Sequence, residues 1–413
     1  MRVKRNLELM PEPDEPSLLT TVDSEAPGYA GEEYGLSDEE ARKLRWPIEP
    51  IMRAIWPWGA IVLSGLVALM ILSWSIITPF LGSVLPDSEW AYEQSGIREL
   101  QESGLSGQGV KVCIVDTGID ISHPDFSDIQ LVGFRDMFSG KNDQIRDVGL
   151  ESHGTLMAGL IVANGTFRGA SPDVSLSVTI ALGPSGKSTD EEMVSQAIRW
   201  CRISQNADII SLSLGSEPGS GMGIESDTIK AVQEALEDGI FIVAAAGNSD
   251  YYANTSNDVS SPASLEGVIA VGAHGWDGSP WRNSAMGSET DPFTGEFREF
   301  PNQKPEILAP GVLLWSCIDS ENDPPYAYST GTSDSTALVT GALALILEKY
   351  GSEISGEDGK IDYDEMRLVK VALAKSAKMA LDQEETHESK SGYGLLDAFS
   401  WSQQVAIEFN VIE

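Results

Sequence analysis

The feature that most limits the fold of this chain is a repeated alternation of apolar strands and helical stretches after residue 87. Thr189 to Cys201 has the spacing of an amphipathic helix with acidic residues at its start. Short apolar runs that are typical of buried strands stand at 110–115, 209–214, 241–246 and 268–271. Apolar strands that alternate with helices indicate a parallel sheet covered on both sides. The sequence therefore predicts an α/β fold, a doubly wound, mostly parallel sheet with helices on both faces.

A turn of small residues beginning at Ser329 leads into a helix of small and apolar residues that extends to Leu347. Small side chains allow such a helix to lie deep in a domain. Ser333 falls at its N-terminus, where free N–H groups and the helix dipole favour developing negative charge. A serine there can attack a carbonyl group, but serines begin helices more often as N-caps than as nucleophiles. A catalytic role for Ser333 therefore requires a base and an orienting carboxylate elsewhere.

Candidates for the base and the carboxylate can be chosen from their positions in the predicted strands and helices. Parallel sheets bind ligands at the carboxyl ends of their strands, and Asp116 and Asn248 each come directly after a predicted strand. His153 precedes a run of small and apolar residues that predicts a tightly packed helix, which would hold an imidazole rigidly. The other three histidines are predicted to be surface or turn residues: His123, His274 and His387.

An apolar run without a charged residue covers residues 58–81 and exceeds the ~20 residues that span a bilayer. A buried core helix seldom lacks polar residues for this long, and a signal peptide would be shorter and nearer the N-terminus. Basic residues precede the run and acidic residues follow it, which favours a cytoplasmic N-terminus. We expect a single-pass protein of the cell membrane. Its predicted parts are a mostly disordered, acidic cytoplasmic arm (1–57), a transmembrane helix (58–81) and an extracytoplasmic domain (87–413).

The net charge of the chain argues against one class of partner. The chain carries 27 basic and 63 acidic residues, a net charge of −36, so nucleic acid is a poor partner.

The three cysteines lie far apart in apolar stretches without metal-ligand spacing, which predicts buried free thiols: Cys113, Cys201 and Cys317. The acidic stretch 287–301 is predicted to be an inserted surface loop.

Three motifs now resemble those of the subtilisin-like serine proteases, the subtilase or peptidase S8 family. Asp116–Asp120 resembles the aspartate motif, Ser152–Thr155 the histidine motif and Gly331–Ser333 the serine motif. Their order, Asp then His then Ser, is the subtilisin order and differs from that of chymotrypsin. Further similar stretches extend the resemblance over about residues 90–400.

The resemblance implies a fold, an activity and a set of roles. Ser333 would be the nucleophile, His153 the general base and then acid, Asp116 the orienting carboxylate, and Asn248 an oxyanion-hole donor. Two strand ends would bind an extended peptide, and one further residue would form the base of the S1 pocket. These substrate-binding candidates are Ser213, Leu214, Gly215, Ala246, Gly247 and Ser260. No cofactor is required, although Asp125 matches a ligand of a common subtilisin calcium site.

The chain also departs from the family pattern. Asp334 and Ser335 stand where the family usually has Met and Ala, and Leu156 replaces a second histidine. The inhibitory propeptide is expected to be missing. A second calcium candidate near Asp362 lacks oxygen ligands, and Asp362 with Glu365 is better explained as a capping box.

The sequence therefore predicts a membrane-tethered serine endopeptidase that acts on peptides or proteins. The alternative is a catalytically weak relative that binds peptides as an anchored receptor. Its support is Asp334, whose charge would lie near a developing oxyanion, together with the missing propeptide.

Overall fold

The structure is a computed structural model that describes residues 58–59, 61–70, 88–140, 144–185, 191–215, 227–248, 258–356 and 359–411. Backbone contacts divide the chain into two units, residues 1–85 and 86–413. The predicted arm 1–57 lies outside the described residues, and so do residues 60 and 71–81 of the predicted membrane span. Within the part of the chain that is described, no helix reaches the length and apolar character needed to cross a membrane.

In the first unit, residues 61–70 are helical. The larger apolar side chains of this segment are exposed to solvent rather than packed in a core: Ile61, Val62, Leu63, Leu66, Val67, Leu69 and Met70.

The second unit contains a seven-stranded sheet in which every pair of neighbouring strands is parallel. Its spatial order is β2-β3-β1-β4-β5-β6-β7. The strands are β1 (Lys111–Asp116), β2 (Gln130–Asp136), β3 (Ser175–Ile180), β4 (Ile209–Leu212), β5 (Phe241–Ala245), β6 (Ile269–His274) and β7 (Ile307–Pro310). The strand order reverses beside β1, and a crevice for a ligand is expected there at the carboxyl edge.

Helices cover both faces of this sheet, and an antiparallel hairpin, β8 (Val312–Cys317) with β9 (Tyr326–Thr330), follows β7. The helices are α1 (Glu89–Gln94), α2 (Ile97–Glu102), α3 (His153–Val162), α4 (Glu191–Ile203), α5 (Asp227–Glu237), α6 (Thr332–Ile354), α7 (Tyr363–Ser376) and α8 (Ala398–Glu408). Helix α6 is buried along most of its length and contacts α3 and strands β4–β7. The predicted fold class of this unit is therefore confirmed.

Agreement between sequence and structure is best where strands are apolar on both faces. The five residues of β5 are all buried, as the unbroken run at 241–246 indicated. Strand β2, at the edge of the sheet, buries only Phe134 and Asp136, and β3 carries serines at every second position up to Ser177. Neither strand has a continuous apolar run, so neither was predicted from the sequence.

The predicted capping box is present at the start of α7. Asp362 Oδ1 accepts from the backbone N–H of Asp364 at 2.8 Å and of Glu365 at 3.2 Å, while Glu365 Oε2 accepts from the Asp362 N–H at 2.7 Å. The stretch 287–301 contains no helix and no strand, as predicted for a loop. It is tied to the domain by Arg298, whose buried guanidinium contacts both Asp258 carboxylate oxygens, at 2.8 and 2.7 Å.

The prediction of three free thiols is wrong for two of the cysteines. Cys113 on β1 and Cys201 on α4 form a disulfide across 88 residues of chain, and only Cys317 is free. Their sequence positions gave no sign of the pairing, because it depends on α4 crossing the sheet directly over β1. Once α4 packs there, the two Cα atoms are 5.8 Å apart, within the range that a disulfide bridges.

Candidate active site

Asp116 is the last residue of β1 and is fully buried. Its Oδ1 accepts from the Thr117 backbone N–H at 2.7 Å, and both of its carboxylate oxygens face His153. A parallel strand end places the carboxylate at the carboxyl edge of the sheet, where the sequence predicted a site.

His153 is the first residue of α3, and its Nδ1 lies 2.8 Å from Asp116 Oδ1 and 3.0 Å from Oδ2. Because the carboxylate accepts, Nδ1 carries the proton and Nε2 is left as the basic nitrogen. Burial disfavours the charged imidazolium. The charge and hydrogen bond of Asp116, with the charges of Asp334 and Asp147, outweigh that effect and raise the pKa of His153 to about 9.

Asp147 organises the turn that carries His153, and its role was not predicted from the sequence. Its Oδ1 accepts from the Thr117 hydroxyl at 2.7 Å, and its Oδ2 accepts from the N–H and hydroxyl of Thr155 at 2.8 and 2.7 Å. The same Thr117 hydroxyl accepts from the Gly154 N–H at 2.9 Å. Asp147 thereby joins the Asp116 strand end to the His153 helix, which fixes the distance between the two side chains. Asp147 lies 31 residues beyond Asp116 in a polar stretch, so no local pattern pointed to it.

Ser333 is the second residue of α6 and is buried except for 8% of its surface. Its hydroxyl points to the carbonyl oxygen of Ser213 at 3.5 Å, and the Ser213 hydroxyl donates to the Ser333 carbonyl at 3.5 Å. In the part of the chain that is described, no hydrogen bond joins Ser333 to His153. Such bonds are often long in ligand-free sites and shorten when substrate binds.

Asn248 lies beside the start of α6. Its Oδ1 accepts from the backbone N–H of Thr332 at 3.0 Å and from the Thr332 hydroxyl at 2.9 Å. Because a backbone N–H can only donate, these bonds identify the side-chain oxygen and leave Nδ2 as the donor on the other side of the amide. A Cβ placed on Gly331 would lie 3.1 Å from that Nδ2, so the donor lies against the Gly331 backbone.

The predicted substrate-binding residues lie at two neighbouring strand ends. Residues 213–215 follow β4 directly, and residues 246–247 follow β5. Ser260 contacts both segments: a Cβ on Gly215 would lie 2.5 Å from Ser260 Cβ, and a Cβ on Gly247 would clash with its Oγ. The structure therefore brings Ser260 between the two strand ends. Residues 216–226 and 249–257, which continue these segments, are outside the described ranges.

The family model described as the subtilase family, Peptidase S8, matches residues 107–394, which include all of the residues above. The chain belongs to the subtilase family. The major intracellular serine protease of Bacillus subtilis (strain 168) is 34% identical over 256 residues, which are 60% of this chain and 71% of that protein. Subtilisin DY of Bacillus licheniformis is 36% identical over 256 residues, 61% of this chain and 81% of that protein. These relatives indicate that this subtilase is a serine-type peptidase.

A comparison with solved structures supports the same fold. The solved structure of the prenylagaramide maturation protease PagA superposes with a TM-score of 0.56 over 75% of this chain and 98% of that one. At 22% sequence identity, this likeness supports the fold and not a shared substrate.

The surroundings of Asp125 do not fit calcium in the part of the chain that is described. Asp125 Oδ1 accepts from the Thr166 N–H at 2.9 Å and from the Tyr326 hydroxyl at 3.0 Å. Its Oδ2 is buried without a partner among the described residues, and the side chains that cluster with it, with ligand atoms within 4.8 Å of one another, are the His123 imidazole and the Cys317 thiol. Calcium takes six to eight oxygen ligands, which a nitrogen and a sulfur do not supply.

The other histidines were predicted to be surface or turn residues, and the surface alternative is wrong for two of them. His123 and His274 are buried, and each is held by backbone atoms. His123 Nδ1 accepts from the Asp125 N–H at 3.1 Å while its Nε2 donates to the Pro325 carbonyl at 2.8 Å, and His274 Nδ1 donates to the Gly275 carbonyl at 2.7 Å. His387 is partly buried and donates to the Pro305 carbonyl at 3.0 Å. The turn-rich sequence around these histidines suggested exposed positions, and it does not show that the folded chain buries the turns.

Proposed function

We propose that this subtilase is a membrane-tethered endopeptidase in which Ser333, His153 and Asp116 act as one catalytic unit. The observation that carries the proposal is the pair of short contacts from His153 Nδ1 to the buried Asp116 carboxylate, beside a serine at the start of a buried helix. This arrangement leaves Nε2 of His153 to accept a proton from the serine hydroxyl.

In the proposed reaction, the Ser333 hydroxyl turns from the Ser213 carbonyl toward His153 and attacks the peptide carbonyl carbon. His153 accepts the hydroxyl proton and then donates it to the leaving amine, so that an acyl-enzyme forms. Water attacks this ester in the second half, and His153 again accepts and returns the proton. Asp116 stays ionised throughout, because its role is to hold the imidazole tautomer and to stabilise the imidazolium.

The oxyanion would be stabilised by the side-chain Nδ2 of Asn248 and by the backbone N–H of Ser333. Thr332 supports this role, because its N–H and hydroxyl hold the amide oxygen and thereby orient the nitrogen. Donors fixed before the reaction need no reorganisation when charge develops, which is why such sites are effective. The peptide would pair with the strand ends at 213–215 and 246–247, with Ser260 at the base of the S1 pocket.

Labelling with an active-serine fluorophosphonate, followed by peptide hydrolysis, tests the catalytic unit. Wild-type domain beginning at residue 87 should react with the probe and cleave peptides, and Ser333→Ala should lose both activities with an unchanged circular dichroism spectrum. Ser335→Ala is the matched control, because Ser335 lies on the same turn of α6 and donates instead to the Ala309 and Pro310 carbonyls. Full hydrolysis by Ser333→Ala would place the activity elsewhere, and an inert wild type would favour the anchored peptide-binding function.

The membrane part of the proposal concerns residues 58–81. The exposed apolar side chains of the helical segment 61–70 and the flanking charges support a span with the N-terminus in the cytoplasm. The Cys113–Cys201 disulfide supports an extracytoplasmic peptidase domain, since disulfides persist mainly in oxidising compartments. Protease added to intact cells should therefore digest the domain after residue 86 and spare an epitope at the N-terminus. Protection of the domain until lysis would contradict this orientation.

We propose further that catalysis requires no cofactor. The crowded, mixed surroundings of Asp125 support independence from calcium at that position. Hydrolysis should therefore be unchanged by a calcium chelator, and a loss that added calcium restores would contradict this proposal.

A further inference from the structure

The residue after the proposed nucleophile is a buried acid whose role the catalytic unit does not explain. Asp334 exposes 1% of its surface. Its Oδ2 accepts from the Ser329 hydroxyl at 3.0 Å, and its Oδ1 is buried with no hydrogen-bond partner among the described residues. An acid that stays buried with an oxygen unsatisfied is costly for a fold, so its position invites a functional explanation.

The Asp334 carboxyl group lies close to the proposed oxyanion donor. A Cβ on Gly331 would lie 3.5 Å from Asp334 Oδ2 and 3.1 Å from Asn248 Nδ2, so the acid and the proposed oxyanion donor flank the same glycine. The charge of His153, the first residue of α3, interacts with that of the Asp334 carboxylate. Tyr92 on α1 also interacts electrostatically with Asp334, and its fully buried hydroxyl donates to the Leu160 carbonyl at 3.1 Å and stays protonated.

Asp334 and His153 each change the pKa of the other. Burial raises the pKa of Asp334 to about 7, although the charge of His153 and the Ser329 hydrogen bond oppose that rise. Burial lowers the pKa of His153, but the charges of three carboxylates, those of Asp116, Asp334 and Asp147, outweigh that effect and raise it to about 9. When two titratable groups interact in this way, the apparent pKa values describe the pair rather than either residue alone.

We propose that Asp334 is a positioning residue that sets the working pH of the peptidase by stabilising the imidazolium form of His153. This inference rests on the proposed function of Ser333, His153 and Asp116. Below about pH 7 both groups hold their protons, and between about pH 7 and pH 9 the carboxylate stabilises the imidazolium. His153 cannot accept the Ser333 proton in either state, so full activity requires alkaline pH.

Asp334→Asn tests the proposal because asparagine keeps the shape of the side chain and can still accept from Ser329. Without the negative charge, the pKa of His153 should fall by about one unit, the lower part of the range that a nearby opposite charge contributes. The acidic limb of the pH profile of kcat/KM should shift down equally, so that hydrolysis at pH 7 rises about tenfold. The Nδ1 proton of His153, followed by NMR, reports the same shift without any need for activity.

Two further variants separate a charge effect from a structural one. Glu353→Gln removes an exposed carboxylate near the far end of α6 and should leave the profile unchanged. Ser329→Ala removes the hydroxyl that stabilises the ionised Asp334, so it should shift the limb in the same direction by a smaller amount. Ser329→Ala also decides the question if Asp334→Asn does not fold.

The possible outcomes are distinct. An Asp334→Asn enzyme that is folded and active with the wild-type pH profile and an unchanged His153 titration overturns the inference and leaves the proposed function intact. A wild type that is inert to peptide and probe rejects the proposed function, while the NMR titration still decides whether Asp334 controls the proton on His153. A fall in activity at every pH without a shift shows only a structural role and also overturns the inference.

Discussion

The disulfide between Cys113 and Cys201 makes a quantitative prediction about stability. It closes a loop of 88 residues, and the entropy that such a cross-link removes from the unfolded chain corresponds to about 4.6 kcal/mol at 25 °C. For the unit that spans residues 86–413, an unfolding entropy of ~2.1 cal/mol/K per residue converts this free energy into a fall of about 7 °C in melting temperature on reduction. Both sulfurs are fully buried, so reduction changes the cross-link while the side chains stay in place.

The assay compares melting curves of the domain with and without a reductant, in a Ser333→Ala background to prevent self-digestion. Thiol titration of the denatured protein should find one thiol before reduction, that of Cys317, and three after it. The Cys113→Ala/Cys201→Ala variant should melt near the reduced wild type and should not respond to the reductant.

Cys317→Ala is the control, because it also removes a buried sulfur but breaks no cross-link. It should lower stability by only about 1 kcal/mol and keep the response to reductant. The reasoning fails if three thiols titrate without reduction, since the bridge then does not form. It also fails if the bridge forms and its reduction leaves the melting temperature unchanged, because loop closure would then not contribute to stability.

Three other predictions concern single residues. Asn248→Ala should lower kcat by about 10²–10³ with little change in KM, the loss that follows removal of one oxyanion-hole donor in subtilisin, and an unchanged kcat in single-turnover kinetics would exclude that role. Ser260→Gly should shift the preference for Phe over Ala at P1 by about 1–3 kcal/mol toward Phe, whereas an unchanged ratio of kcat/KM values would place Ser260 outside the pocket. Arg298→Met should destabilise the domain by about 3 kcal/mol in urea denaturation, because it leaves Asp258 buried without its cation, and a loss below 1 kcal/mol would mean that the pair contributes little.

The sequence predicted those parts of the fold and candidate site in which a local pattern carries the information. Unbroken apolar runs located β1, β4 and β5, and the small residues after Ser333 located the central helix. Asp116, His153 and Asn248 each stand at the end of a strand or the start of a helix, so the topology of a parallel sheet directs all three to one edge. The structure does bring these three and Ser333 to that edge, and their catalytic roles remain proposals.

What the sequence could not predict depends on contacts between distant segments. The Cys113–Cys201 bridge requires α4 to cross β1, and Asp147 joins two turns that no local pattern connects. His123 and His274 stand in turn-rich stretches that resemble surface loops, and only the folded chain shows that both are buried.

Asp334 shows how the two kinds of information combine. From the sequence alone, its charge beside a developing oxyanion argues for a weak enzyme. In the folded domain the carboxyl group is buried, and a buried acid favours its neutral form, so the charge depends on pH rather than being fixed. The ionised form also interacts with His153. As the acid loses its proton, its charge therefore both disfavours the oxyanion and stabilises the imidazolium form of His153. At the alkaline pH at which His153 becomes a base, the acid is ionised, so we expect it to raise the pH at which the peptidase works and still to slow the reaction at that pH.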